Sequence, residues 1–455
     1  MNTREWRELL PRIQDLAVQQ GLAYNPVEFE TVPESFMMEI AVYGLPVRMP
    51  HWSFGVRYIS QLIQHRMGHS RLFEVVFPGN PSRAYLARGN SLAENILVTA
   101  HVLGHADFSR SNLIFRDSQR QVGEHIVEQA ATHARQIAMA IEEHGQEKVE
   151  AVLDAALALE QHIDLNHEIG REPYPQFLDP KSDIKASEFG RRFAALDPQS
   201  SETKDRAARR RAPIPPHPEK DLLWFIAQYA PELDGWERDI FLAVREESFY
   251  FYPVYATQIM NEGWASYWHA RLLREADFLP QHAYVDAIKC HSDVVRPIAS
   301  GEKVALAINP YHLGFSIWED LVAKHGLAAA RRTMQEDDDA SFVRNHLTLE
   351  LANELQLFRY KADTAGSIKV QTEDLTALHE ELARPKYNFG APSIAAAEVQ
   401  VDGTLVLAHD HHCDGRGIDI ERAAKVLEYI QRVWRRPVLL KTIDGDGRPV
   451  EIKTP

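Results

Sequence analysis

Two cysteines in 455 residues leave little room for sulfur chemistry. Cys290 and Cys413 stand far apart, and no C-x-x-C spacing occurs. Neither a thiolate zinc site nor a disulfide framework can be read from them, and both are expected as free thiols of a reducing compartment. Long apolar runs are missing too: nothing approaches the roughly 20 residues that cross a bilayer. The N-terminus, MNTREWRELLPRIQDLAVQQ, carries acids and has no apolar signal-peptide stretch. A cytoplasmic protein without membrane partners is therefore expected. There is no G-x-x-x-x-G-K-[ST] loop and no G-x-G-x-x-G after a strand, so no nucleotide cofactor is expected. Positive charge is in deficit, with 50 Lys and Arg against 65 Asp and Glu. That balance argues against nucleic acid, whose binding draws on clustered cations. The one basic run, Arg206 with Arg209, Arg210 and Arg211, lies in a polar Pro-rich stretch and reads as a solvated linker.

What remains is an ordinary globular composition, 45% hydrophobic and 25% charged, too long for one small core. Helical spacing dominates. Leu9, Leu10, Ile13, Leu16 and Ala17 mark a first helix over about 5–20, stopped by Gly21. Residues 24–54 read as irregular, with Pro26, Pro33, Pro46 and Pro50 as breaks. Short strands are expected at 72–77 and 83–87, then a helix from about residue 90, and an αα-hairpin of helices at 121–144 and 147–163. Near the C-terminus the pattern changes. Strands at 393–400 and 404–409 flank the hairpin signal Asp402-Gly403, and a helix at 419–434 precedes strands at 437–443 and 448–453. The expected fold class is mainly α, a multi-helix body with a small C-terminal α/β module. Its segments are an N-terminal helical part (1–195), a Pro- and charge-rich linker (196–220), a second helical part (221–385) and the module (386–455).

Two segments carry the chemistry. In SLAENILVTAHVLGHADF, at about 100° per residue, Glu94, His101 and His105 fall within roughly 40° of one another on one helix face. His-x3-His spacing lets two imidazoles reach one ion, as in zinc peptidases. Gly104 beside them suggests a close approach, because a mid-helix Gly costs about 1 kcal/mol against Ala. Ser91 and Glu94 also have capping-box spacing, which gives Glu94 a structural use. In MNEGWASYWHARLL, Glu262 and His269 share a second face, with the small Ala265 and Ser266 between them. His101, His105, Glu262 and His269 are the candidate ligands. Glu94, Asp107, Glu160 and Glu247 are the candidates for supporting positions. Imidazole and carboxylate suit zinc, iron or manganese. The alternative is a buried polar network that fixes helix register without an ion.

His101-Val102-Leu103-Gly104-His105 keeps the histidines of the zinc-peptidase H-E-x-x-H but has Val102 where the catalytic base belongs. Asn261-Glu262-Gly263-Trp264-Ala265 resembles the downstream N-E segment of those enzymes, at a far longer spacing. A metal-dependent hydrolase lacking the usual base is thus one expectation, with proton transfer falling to Glu94, Glu160 or Glu247. Other clusters read as structural: His65 with His69, the polar loop HDHHCDGRG (409–417), and the acidic helix start EDDDAS (336–341).

The motifs MPHWSFGV (49–56), AHVLGHADF (100–108), GWERDIFLAVREESFYF (235–251), IMNEGWASYWHARL (259–272), INPYHLGF (308–315) and DDASFVRNHLT (338–348) closely resemble, in order, those of the stage V sporulation protein R (SpoVR) family. The resemblance implies a cytoplasmic bacterial protein related to spore cortex formation or stress response. It also implies a PrkA-type serine protein kinase and a von Willebrand-like protein as partners. A non-catalytic regulatory or scaffold protein working with that kinase is therefore the second expectation.

Overall fold

The first apolar stripe forms α1 (Asn2–Gln19), and Gly21 ends it at φ +95°. Leu22 N–H donates back to Ala17 and Gly21 N–H to Val18, closing the last carbonyls as a left-handed residue permits. In this computed structural model the described residues are 2–66, 73–165, 214–295, 309–357, 359–362, 368–372 and 374–455. Most of the expected linker, its arginine run and His69 lie outside them.

Residues 24–54 are more ordered than their prolines suggest. They hold β1 (Val27–Val32) and α2 (Glu34–Tyr43), followed by α3 (Trp52–Arg66). Pro33 breaks nothing because it stands at the N-cap of α2, where its missing N–H is not needed. β2 (Glu74–Phe77) and β3 (Ser82–Ala87) form the expected pair, and β1 joins β3 in parallel to give the order β1-β3-β2. The helical text then runs through α4 (Leu92–Ser111), α5 (Leu113–Val122), α6 (Ile126–His144) and α7 (Gln146–Ala158). The helix expected over 121–144 is broken at Gly123, whose φ of +81° a helix cannot accommodate.

After the undescribed stretch come α8 (Leu222–Tyr229), α9 (Gly235–Ala256), α10 (Gln258–Glu275) and α11 (Gln281–Val295). They are followed by α12 (Pro310–His325), α13 (Leu327–Glu336), α14 (Asp339–His346) and α15 (Leu349–Glu354). β4 (Arg359–Ala362) and β5 (Ile368–Thr372) pair antiparallel ahead of α16 (Leu375–Ala383). The C-terminal module is β6 (Ile394–Val399), β7 (Leu405–His409), the short α17 (His411–Asp414), α18 (Ile420–Trp434), β8 (Val438–Ile443) and β9 (Pro449–Lys453). Its sheet runs β6-β7-β8-β9, and only the central β7–β8 pair is parallel. Gly403 makes the predicted turn at φ +86°, and α18 buries Leu427, Ile430, Val433 and Trp434. The chain is thus mainly α with a small C-terminal α/β module.

The chain divides into two compact units that are not consecutive segments. One comprises Met1–Glu150 with Ala243–Ala391, and the other Ala151–Leu242 with Pro392–Pro455. Within the first, α4 is buried almost all round, so its sequence shows little one-sided amphipathicity. Three glycines let backbones touch there. A Cβ on Gly104 would lie 2.7 Å from Ala265 Cα, one on Gly263 2.3 Å from the Gly314 carbonyl carbon, and one on Gly314 2.0 Å from Ile259 O. Side chains larger than hydrogen would hold α4, α10 and α12 apart. Trp264 and Trp318 fill the wedge beside these contacts, ring centres 4.9 Å apart, and each indole N–H is satisfied, by Asp107 and by Met260 O.

Candidate metal centre

The close approach of α4 to α10 brings the two suspected faces together. His101 Nε2 lies 3.0 Å from His105 Nε2 and 3.3 Å from Glu262 Oε2, and His105 Nε2 lies 3.4 Å from that same oxygen. His101 is buried, and His105 and Glu262 are nearly so. Each imidazole is held from its other nitrogen. Asn261 Oδ1 sits 2.8 Å from His105 Nδ1, so that nitrogen donates and Nε2 is the one that faces the centre. His101 Nδ1 faces His269 Nδ1 at 3.0 Å, and His269 Nε2 faces Nδ1 of His291, on α11, at 2.6 Å.

His101, His105 and Glu262 thus present three ligand atoms within 4.8 Å of one another, a group that could hold a metal ion. His269 stands behind His101, with both of its nitrogens occupied by neighbouring imidazoles. Burial and the surrounding rings of His101, His291 and His105 drive its pKa well below 6.5, so it is neutral at physiological pH. His291 is lowered to about 4 by burial, Arg274 and His101. Burial alone would raise the Glu262 carboxyl. The His105 charge and hydrogen bonds from both histidines outweigh it and hold that carboxyl well below its ordinary range. The reciprocal effect raises His105 despite its burial.

Two groups absent from the sequence-based list face the same centre. Glu74, from β2, interacts electrostatically with His101, Glu262 and His105, and its pKa is raised by burial and by Glu262 against the pull of the two imidazoles. Tyr311, in the first turn of α12, hydrogen-bonds Glu262 and stacks on His101 with ring centres 6.0 Å apart. The adjacent Glu262 charge, burial and Glu74 raise its phenol well above 10. Glu74 is an isolated charge in a short apolar strand, LFEVVF, a signal that could have been read. INPYHLGF does form the expected helix entry, with Asn309 capping α12, and that reading hid the second use of its tyrosine.

The four supporting candidates separate. Glu94 closes a capping box with Ser91, accepting from Ser91 N at 2.6 Å while its own N–H donates to Ser91 Oγ at 3.2 Å. Asp107 is fully buried and binds α4 to its neighbours through Ala23 N, Trp264 Nε1 and Arg331. Glu247 pairs with Arg48 in a cluster of its own. Glu160 lies in the turn after α7 and belongs to the second unit. In the 409–417 loop, His409 is bound by Thr442 and Asp414, and among the described residues that loop forms no metal-capable group. Asp338 caps α14, as a helix-start acid should. Asp339 accepts from Ile259 N and Met260 N and so fixes the start of α10.

A cavity of about 510 Å³ opens beside the triad, lined among others by Phe73, Glu74, Glu94, His101, Asp293 and Tyr311. Fold and site together define a helical protein with an interior two-histidine, one-carboxylate group beside a cavity that His101 lines. The family model for "SpoVR like protein" matches residues 1–390, and the chain belongs to that family. It is 27% identical to "Uncharacterized protein YcgB" of Escherichia coli (strain K12), across 96% of this chain and 92% of that relative. No solved structure matches. The match to the family model covers every residue of the centre. Among the described residues no helix is long and apolar enough to cross a membrane.

Proposed function

We propose that this chain is a metal-dependent protein with a hydrolytic type of centre, its ion held by His101, His105 and Glu262. One observation carries the reading. Ligand bonds of about 2.0–2.1 Å in a tetrahedron place neighbouring ligand atoms about 3.3 Å apart, and the three separations are 3.0, 3.3 and 3.4 Å. Three protein ligands leave a fourth position for water or substrate, as catalytic zinc sites do. Zinc, iron and manganese all suit the donor set. When bound, such an ion polarises a carbonyl and acidifies water.

The chain's own residues do the rest. Asn261 and His269 orient the two ligand rings, and Tyr311 donates to the Glu262 carboxylate. Glu74 is the carboxylate on the cavity side, where Val102 supplies no base. For the cell, the reading is a cytoplasmic role in sporulation, cortex formation or stress response, in company with a serine protein kinase and a von Willebrand-like protein. The test is elemental analysis of the purified chain, before and after reconstitution. About one equivalent of transition metal is expected, lost in a His101→Ala, His105→Ala variant that keeps its helical spectrum. Wild-type protein that stays metal-free through reconstitution would sink the reading. Proteins retained by the same preparation, a kinase expected among them, speak to the partnership.

A further inference from the structure

The three-stranded sheet beside the centre ends in edges of two kinds. In the order β1-β3-β2 both β1 and β2 are outer strands. β1 turns the charged Glu28 and Glu30 to water, one of the devices that keep an edge from pairing. β2 has no exposed residue: Glu74, Val75 and Val76 are half-buried and Phe77 is buried. Its register fixes which of its backbone groups are committed. Ala87 N–H donates to Phe73 O at 3.0 Å, which makes Phe73 and Ala87 a hydrogen-bonded pair of the antiparallel ladder. The next such pairs are Val75 with Tyr85 and Phe77 with Arg83. On β3 the alternate residues turn to β1 instead, in line with Ser82 N–H donating to Pro26 O and Arg88 N–H to Val32 O. Glu74 and Val76 therefore direct their own N–H and C=O groups away from β3, and among the described residues those groups have no hydrogen-bond partner.

This open edge lies at the candidate centre. Phe73 and Glu74 line the cavity of about 510 Å³ together with His101, His269, Val294 and Tyr311. The Glu74 side chain also interacts with His101, His105 and Glu262. A strand added to β2 would run about 4.8 Å beyond it, so its backbone would pass along the Glu74 side of the cavity. Sheltered backbone groups without partners are costly, and a ligand that pairs them removes that cost. The ligand that offers donors and acceptors at this spacing along one line is an extended polypeptide. It adds to a sheet edge through its main chain, while pockets take its alternate side chains, and the cavity is large enough for one of those. We propose that an extended polypeptide segment is the ligand of this site, bound as a fourth strand on the outer edge of β2 through Glu74 and Val76. The inference deepens the metal reading by naming a substrate class, and rests on it for the centre but not for the docking.

The experiment is hydrogen exchange of the full chain, read residue by residue by electron-transfer fragmentation, on chelator-treated and on zinc-loaded protein. In the free chain the Glu74 and Val76 amides should exchange at least about tenfold faster than those of Val75 and Phe77, which the ladder holds. A pool of blocked random hexapeptides should slow the first two several-fold. The same pool N-methylated at every residue has no main-chain donors and should leave them fast. Val76→Pro removes one outward N–H without breaking a ladder bond, so the pool should no longer protect Glu74 in a variant that keeps its helical spectrum. Glu74 and Val76 amides already as slow as their neighbours would overturn the proposal. So would a free edge that the hexapeptides leave unprotected, or one that both pools protect alike. Failure of the metal reading looks different, because zinc would not be taken up while the hexapeptides still protected β2 in the chelator-treated chain.

Discussion

Two buried clusters in the first unit are made of the same materials and do opposite things. One is the His101–His105–Glu262 triad. The other joins His133 on α6 to Glu246 and Glu247 on α9, with Arg48 reaching in after α2. Both place imidazoles against carboxylates in a helical interior, and both draw on glutamates that point inward by helical spacing. The second carries its own cation. Arg48 Nε lies 2.6 Å from Glu247 Oε2, with both side chains almost wholly buried. His133 stands 3.2 Å from Glu246 and 3.6 Å from Glu247, and the rings of Phe54 and Phe251 cover the guanidinium. In the first cluster Glu262 meets two imidazoles and the Tyr311 phenol, and a cavity opens beside His101. A carboxylate locked by a buried arginine holds helices together, whereas ligand atoms converging beside a void leave room for an ion.

That contrast is broken most sharply at Glu247. Replacing it with Ala leaves the Arg48 guanidinium buried without its carboxylate, a loss of about 3–5 kcal/mol. Chemical denaturation of the full chain should show it directly. Variants that still fold should take up metal as the wild type does, because the triad does not touch this cluster. A loss below about 1 kcal/mol would mean that water replaces the lost partner, and the cluster would no longer qualify as an internal lock.

How much of this difference could be read beforehand follows from where the information sits. Helical spacing placed Glu247 inward, but its partner Arg48 is a residue of an irregular stretch nearly two hundred positions away, and no local pattern pairs them. The same spacing put His101 with His105 and Glu262 with His269, and the glycine at 104 announced a close neighbour. The neighbour proved to be Ala265, on the very helix that carries Glu262. What spacing could not rank was the depth of each ligand. His269 shares a face with Glu262, yet it sits one imidazole further back, because the crossing of α4 over α10 decides which ring reaches the centre. Tyr311 comes from a helix entry whose local role accounts for it, whereas Glu74 is a lone charge in an apolar strand with nothing nearby in sequence to say what it faces. The α/β module was legible almost to the residue because its turns are marked by Asp402-Gly403 and its helix is one-sided. The division into two interleaved units has no local signature at all.

The internal lock also makes a pH prediction that the triad does not. Burial alone would lower the His133 pKa, but hydrogen bonds and the charges of Glu246 and Glu247 raise it from 6.5 to about 9. A histidine raised in the folded state stabilises fully below its unfolded pKa of 6.5. That contribution is lost as pH climbs through 9. The full shift would correspond to about 3 kcal/mol, and screening at the partly exposed Glu246 reduces it to about 1–2 kcal/mol. Denaturation midpoints of the full chain should therefore fall between pH 6.5 and 9.5, and His133→Gln should flatten that part of the profile. An unchanged slope in the variant would assign the loss to other groups.

The smallest expected effect falls on the border between the two kinds of cluster. Glu94 lines the cavity with one part of its carboxylate environment, while Oε2 takes the Ser91 amide in a capping box. Glu94→Gln keeps an acceptor for that amide but removes a negative charge from the first turn of α4. The cost to stability should be about 0.3–1 kcal/mol, the value of an acid at a helix start. Metal content should not change, since the carboxylate is committed to the cap and lies outside the triad. If the variant instead lost its metal with stability intact, the centre would extend further along α4 than the three ligand atoms indicate. The cavity would then have to be redrawn with Glu94 as part of the ion's surroundings.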